Sequence, residues 1–189
     1  MAQLKICGVR TAAFAREAER LGAGYVGLIF APESPRAVTA ARARAIVAAL
    51  AGTARPVGVF TDAAVQSVAD VCAAAGIGIV QLHRRARRDE VVYLRGRGLE
   101  VWTLGGGAPG DAVVFDSSHG DGERALVFGP YRTVLAGGIA AGNVCAALAS
   151  GADVIDVSGS LESSPGRKSS VRLRAFVRVW NSQVARKEG

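Results

Sequence analysis

Short β-branched runs alternate with helix-period segments along nearly the whole chain. That alternation restricts it to a parallel α/β architecture, because a strand–helix–strand unit returns its second strand parallel to the first. Leu4–Ile6 reads as a first strand, followed by a helix that Thr11 caps and Gly22 closes, with Phe14, Ala18 and Leu21 on its inner face. Tyr25–Ile29 is a second strand, running into a loop from Phe30 to Arg36. Thr39 opens a helix with Ala43, Ile46, Val47 and Leu50 at the spacing of one buried face. Val57–Phe60 is a third strand, and Thr61-Asp62 is expected to cap a helix that packs Val65, Val68, Ala69 and Cys72. Ile77–Leu82 is a fourth strand, ending at His83, before a basic helix from Asp89 to Arg97.

After the fifth strand, Leu99–Leu104, the alternation breaks. Gly105 to Gly110 matches GxGxxG as a string, but another strand, Ala112–Phe115, follows at once. A dinucleotide fingerprint needs a helix whose amino end receives the pyrophosphate, and no room for one exists. Asp116 ends the sixth strand and leads into a loop from Ser117 to Gly122. Thr133–Leu135 is a seventh strand, continuing into Ala136-Gly137-Gly138. A helix from Asn143 to Ala149, closed by Gly151, is expected to bury Cys145. The eighth strand is Val154–Val157, followed by Ser158-Gly159-Ser160. A last helix, Ser169 to Arg186, turns Leu173, Phe176, Val177, Trp180 and Val184 inward. Eight strands in alternation with five or six helices predict one domain over residues 1–189, a compact (β/α)8 TIM barrel with outer helices 5 and 6 shortened or missing. The 189 residues fall just under the usual lower length of about 200 for this fold.

Composition narrows the function classes. Half of the residues are hydrophobic and 21% charged, yet no charge-free apolar run approaches the roughly 18 residues of a membrane span, so no membrane partner is expected. Cys7, Cys72 and Cys145 are odd in number and widely spaced, which argues against a disulfide framework and a zinc site and for a reducing, cytoplasmic setting. The net charge is +7, and the basic residues are spread out, with two denser zones at Arg84, Arg85, Arg87, Arg88, Arg95 and Arg97 and at Arg167, Lys168, Arg172, Arg174 and Arg178. These alternate with apolar residues at helical spacing and read as solvated helix faces. No nucleic-acid-binding signature accompanies them, so no nucleic acid is expected as partner.

In a barrel of this kind the carboxyl ends of the strands share one mouth. Those ends are Cys7, Phe30 with Arg36, Phe60, His83, Asp116, Gly137-Gly138 and Ser158-Gly159-Ser160. Gly137, Gly138, Ser158, Gly159 and Ser160 lie after strands seven and eight, where barrels bind phosphate and where glycine lets backbone N–H groups approach an anion. Cys7 and Asp116 come from opposite sides of the ring and suit a base–acid pair acting on one small sugar. Each residue also has a plainer reading. A buried cysteine is often a small hydrophobe, Arg36 can tie down a loop, His83 can be a rim residue, and Asp116 can pair structurally.

Several of these stretches occur together and in order: Lys5-Ile6-Cys7-Gly8, Val26 to Phe30 with Ser34-Pro35-Arg36, Val57-Gly58-Val59-Phe60 and Gln81-Leu82-His83 in the first half. Leu135 to Ile139 with Asn143-Val144, and Asp156-Val157-Ser158 through Glu162 to Gly166, follow in the second. The chain resembles the phosphoribosylanthranilate isomerases of tryptophan biosynthesis over nearly its full length. The resemblance implies an Amadori rearrangement of a phosphoribosylated anthranilate, with no metal and no organic cofactor. It implies Asp116 as acid, Cys7 as base, Arg36 on the anthranilate carboxylate, and Gly137, Gly138, Ser158, Gly159 and Ser160 on the phosphate; His83, from its place at a strand end, is expected to line the site. The expected partner is the small-molecule substrate, and a monomer is expected rather than a homodimer. Two departures stand out. Gly120-Asp121-Gly122 replaces the family's Gly-Thr-Gly, and Ser158-Gly159-Ser160 replaces Ser-Ser-Gly. The alternatives are a related phosphosugar isomerase or epimerase barrel, and a non-catalytic barrel that binds phosphorylated metabolites.

Overall fold

A computed structural model describes residues 1–117 and 128–188. Eight strands close into a parallel barrel: β1 (Gln3–Cys7), β2 (Tyr25–Ile29), β3 (Arg55–Phe60), β4 (Ile79–Leu82), β5 (Glu100–Leu104), β6 (Ala112–Asp116), β7 (Arg132–Ala136) and β8 (Val154–Val157). Each strand pairs with the next in the chain, and β8 returns to β1 with Lys5 opposite Asp156. Around them lie α1 (Ala12–Arg20), α2 (Ala40–Val47), α3 (Val65–Ala75), α4 (Arg88–Gly96), α5 (Val144–Ala149) and α6 (Ser170–Glu188).

The strands are buried on both faces, which is why they read as near-continuous apolar runs. Outward-facing Leu4, Ile6, Val26, Leu28, Val80 and Leu82 pack with Phe14, Ile46, Val68, Leu94 and Phe176 of the helices. Inward-facing Tyr25, Val57, Ile79, Trp102, Val114, Val134 and Val154 fill the barrel. Low in the barrel the Trp102 ring meets Tyr25 edge-on at 5.0 Å. Arg132 pairs with Glu100 there and donates to the Tyr25 hydroxyl at 2.6 Å.

Residues 105–111 join β5 to β6 without a helix, as the spacing requires. The glycines there answer to close approach: a Cβ on Gly110 would lie 2.1 Å from the Val101 carbonyl oxygen, and one on Gly107 2.7 Å from the Ala86 nitrogen. The connection folds directly against the barrel where an outer helix would otherwise sit. The corresponding segment after β6, including Gly120-Asp121-Gly122, lies outside the described residues.

The structure corrects three local expectations. Thr61-Asp62 does not cap α3; the N-cap is Ala64, without a side-chain bond, and the Thr61 hydroxyl instead donates to Glu33 at 3.3 Å. Cys145 is exposed, because a helix as short as α5 presents one stripe to the core, and Val144, Ala147 and Leu148 occupy it. Lys168 is not on a solvated helix face. A hairpin of β9 (Glu162–Ser164) and β10 (Arg167–Lys168) turns at Pro165-Gly166, with Gly166 at φ 76°, and carries the Lys168 side chain inward to 4% exposure. In the other basic zone, Arg84, Arg87 and Arg95 pair with Glu90, Asp89 and Asp111.

Glu19 fastens the loop before β3. Its buried carboxylate accepts from the backbone N–H of Ala51, Thr53 and Ala54 at 2.7–2.9 Å and from the Thr53 hydroxyl at 3.0 Å. Glu19→Ala strips four donors of their shared acceptor and is expected to cost about 3 kcal/mol of unfolding free energy in urea titration. A loss below about 1 kcal/mol would show that water replaces the carboxylate freely.

Candidate active site

A cavity of about 480 Å³ opens at the carboxyl ends of the strands. All the residues singled out for chemistry line it: Cys7, Arg36, His83, Asp116, Gly137, Gly138, Ser158, Gly159 and Ser160. Phe30 and Phe60 do not. They stack on each other at 4.9 Å and belong to the outer layer between barrel and helices.

Cys7 ends β1 on its inner face and is 8% exposed. The neighbouring strand must carry glycine beside it, since a Cβ on Gly27 would lie 2.7 Å from the thiol sulfur. One inward position earlier is Lys5, fully buried and ion-paired with Asp156. Burial pushes the Cys7 thiol above its ordinary value of 9.0, while the ammonium groups of Lys5 and Lys168 pull in the opposite direction. The Asp156 carboxylate adds to the effect of burial, so the neutral thiol is favoured overall and the two ammonium groups oppose it.

Asp116 ends β6. Its Oδ2 lies 3.6 Å from His83 Nε2, and the Gln81 amide nitrogen lies 3.2 Å from His83 Nδ1. With that amide donating, Nδ1 accepts and Nε2 carries the ring proton towards Asp116.

Arg36 reaches the cavity over Gly8, where a Cβ would lie 2.7 Å from the Arg36 Cδ. Its Nε and Nη2 donate to the two oxygens of Glu162 at 2.7 and 2.8 Å. Nη1 has no hydrogen-bond partner among the described residues. Lys168 donates to Glu162 at 3.0 Å and to the Ser158 hydroxyl at 3.2 Å, and that hydroxyl donates to the Cys7 carbonyl at 3.1 Å. Burial would raise the Glu162 carboxyl, but its bonds to Arg36 and Lys168 bring it down to about 2.

The loops after β7 and β8 form a concave wall. Gly137 and Gly138 stand at φ 90° and 62°, a region that L side chains rarely adopt. A Cβ on Gly137 would also lie 2.6 Å from Asp116 Oδ1, so the same glycine makes space for that carboxylate. Asn143 stiffens the turn, accepting from Ala140 N–H at 2.8 Å and donating to the Gly138 carbonyl at 3.1 Å. Ser158 and Ser160 direct their hydroxyl protons to the carbonyls of Cys7 and Ile139. An anion at this wall therefore meets backbone N–H groups first.

Sequence reasoning missed Glu162, Lys168, Gln81 and the Lys5–Asp156 pair as parts of the site. A signal existed for the last: Lys5 and Asp156 are single charges at inward positions of otherwise apolar strands. Among the described residues, no group of three or more His, Cys, Asp and Glu side chains is placed to hold a metal ion.

Two carboxylates give the fold an acid sensitivity. Glu19 and Glu162 are both held at about 2, against an ordinary value of 4.5. A depressed folded-state pKa contributes stability that is complete above the unfolded-state value and lost as pH falls through the folded one. The urea midpoint is therefore expected to fall steadily between about pH 4.5 and 2, and Glu162→Gln to flatten part of that slope. An unchanged slope would mean that the Arg36–Glu162 pair is not maintained in solution.

The model of the family N-(5'phosphoribosyl)anthranilate (PRA) isomerase matches residues 4–104 and 107–179. The two residues it skips fall in the tight glycine turn between β5 and β6. The N-(5'-phosphoribosyl)anthranilate isomerase of Geobacter sp. (strain M21) is 34% identical over 197 residues, covering 94% of this chain and 97% of that one. Its counterpart in Neisseria meningitidis serogroup A is 32% identical over 198 residues, covering 94% and 95%. The crystal structure of phosphoribosyl anthranilate isomerase from Thermus thermophilus aligns with a TM-score of 0.82 at 30% identity, over 95% of this chain and 98% of that one. With a closed eight-strand barrel underneath and a match running almost end to end, this chain belongs to the N-(5'-phosphoribosyl)anthranilate isomerase family.

Proposed function

We propose that the chain converts N-(5-phosphoribosyl)anthranilate to 1-(2-carboxyphenylamino)-1-deoxyribulose 5-phosphate in tryptophan biosynthesis, by acid–base catalysis without metal or organic cofactor. The observation that carries the residue roles is that Cys7 on β1 and Asp116 on β6 face one cavity whose third wall is the glycine-rich pair of loops.

Asp116 donates its proton to the furanose ring oxygen. The bond from C1 to that oxygen breaks, and the amine lone pair forms the C1–N double bond of a protonated Schiff base. Cys7, as thiolate, takes the proton from C2; the C–H electrons form a C1–C2 double bond and the imine electrons return to nitrogen. The enolamine then loses its O2 proton and gains one at C1, leaving a ketone at C2. Every proton is accounted for, and no external oxidant or reductant takes part. Lys5 and Lys168 stabilise the thiolate by charge.

Arg36, braced by Glu162, offers its remaining Nη1 edge to the anthranilate carboxylate. Gly137, Gly138, Ser158, Gly159 and Ser160 receive the phosphate, and His83 steadies Asp116. The chain acts as a monomer in the cytoplasm. In support, the large apolar side chains left exposed among the described residues, Met1, Val92, Phe128 and Val171, come from separate parts of the chain. The three cysteines are free thiols. No described helix is long and apolar enough to cross a membrane.

The test is turnover of N-(5-phosphoribosyl)anthranilate, generated in situ, by the purified chain, with chromatographic identification of the ketose product. Accumulation of the product is expected. A folded chain that leaves the substrate to decompose at the enzyme-free rate overturns the proposal.

A further inference from the structure

The hairpin of β9 and β10 carries two charged side chains to the edge of the cavity and buries both. The Glu162 side chain is 5% exposed and the Lys168 side chain 4%. The Lys168 ammonium has three protons and meets three acceptors: the Ser158 carbonyl at 3.0 Å, the Ser158 hydroxyl at 3.2 Å and Glu162 Oε1 at 3.0 Å. Glu162 in turn receives four donors, Arg36 Nε and Lys168 on Oε1 and Arg36 Nη2 and the Gly166 N–H on Oε2. An unbroken path of hydrogen bonds therefore runs from the Cys7 carbonyl through Ser158, Lys168 and Glu162 to Arg36.

Holding the fold together does not call for this arrangement. Taking an ammonium out of water is costly, and an apolar side chain of similar volume often fills such a place at least as favourably. Two cations against one carboxylate also leave a positive charge unbalanced where Arg36 and Ser158 line the cavity. The hairpin tip rests on the loop that leads to Arg36, since a Cβ on Gly166 would lie 2.2 Å from the Pro35 carbonyl oxygen. The Ser158 carbonyl held by Lys168 is also where the short turn Gly159–Leu161 starts, accepting the Leu161 N–H at 3.1 Å. One ammonium thus ties the support of Arg36 to the start of the glycine- and serine-bearing loop.

We infer that Lys168 is a positioning residue for both anions of the substrate. Through Glu162 it fixes the aim of Arg36 at the anthranilate carboxylate, and through Ser158 it fixes the loop that receives the phosphate. The assignment rests on the isomerase reading above. Lys168 binds neither anion itself, because all three of its protons are committed. It sets the spacing between the two ends, and so favours ligands that carry both charges at that spacing.

The test measures binding of the borohydride-reduced product, which keeps carboxylate and phosphate, against analogues lacking one or the other. In the wild type each deletion is expected to weaken binding about 10- to 100-fold. In Lys168→Met both penalties are expected to shrink about threefold or more, because neither end is held to its anion. In Glu162→Gln, which leaves Lys168 an amide oxygen to hold, only the carboxylate penalty shrinks. That variant also adds a unit of positive charge to the site, so a cluster acting by charge alone would enlarge the carboxylate penalty. Lys168→Ala, which leaves room for water, is read in the same way should Lys168→Met not fold.

A uniform loss of affinity in the Lys168 variant, with both penalties unchanged, means that the residue supports only the fold, and overturns the inference. A change in one penalty alone overturns it too, since Lys168 then serves a single end. A larger carboxylate penalty in Glu162→Gln, or equal wild-type affinity for all three compounds, does the same. A folded wild type that binds none of them overturns the isomerase reading, and this assignment with it.

Discussion

Cys7→Ser is expected to lower kcat by roughly 10²- to 10⁴-fold with little change in KM. The serine hydroxyl fits the space that Gly27 leaves and disturbs neither the Lys5–Asp156 pair nor the Lys168–Ser158 contacts, so the fold and the binding wall persist. What disappears is the base, because an alcohol beside two ammonium groups remains protonated where a thiol can ionise. Steady-state kinetics on a variant with a wild-type urea midpoint provides the measurement, and turnover within tenfold of wild type would remove Cys7 from the chemistry.

The pH dependence follows from the same assignment. The active form carries a proton on Asp116 and none on Cys7, so it has the same proton count as the form with the two exchanged. Between the two pKa values its share does not change with pH, and kcat/KM is flat. Above the higher value both groups are ionised and activity falls. Burial pushes Cys7 above 9.0, so the alkaline limb is expected beyond about pH 9. A limb near neutrality would instead mean that Lys5 and Lys168 outweigh burial at the sulfur.

Asp116→Asn is the second large effect, a fall of roughly 10²- to 10⁴-fold in kcat with KM close to wild type. The amide keeps the carboxyl's shape, its place above Gly137 and a polar atom towards His83, but it has no acidic proton for the ring oxygen. Ring opening then limits the rate. A substrate presented already opened, as the Schiff base, is expected to recover most of the lost turnover. Equal impairment on both forms would shift Asp116 from acid to structural support.

Much of this molecule is legible without coordinates. β2 and β8 begin and end where β-branched runs meet their turn residues, at Tyr25–Ile29 and Val154–Val157. Thr11 and Thr39 cap the helices that they precede. Alternation, turn chemistry and strand ends are local properties, so they determine the closed barrel and place Cys7, Asp116 and the two glycine-rich loops at one mouth. Where local signals compete they mislead: Thr61-Asp62 looks like a cap, yet α3 starts after Ala64.

Tertiary structure alone decided how those groups are supported. Arg36 finds Glu162 126 residues away, and Lys5 finds Asp156 across 151. Lys168, one cation in a basic run, becomes a buried neighbour of the Cys7 thiol because a hairpin turns it inward. Pairings of this kind depend on how strands close in space and on which charges lose water together. The chain order thus determined which groups meet at the mouth, while burial and long-range pairing decided what surrounds and supports them.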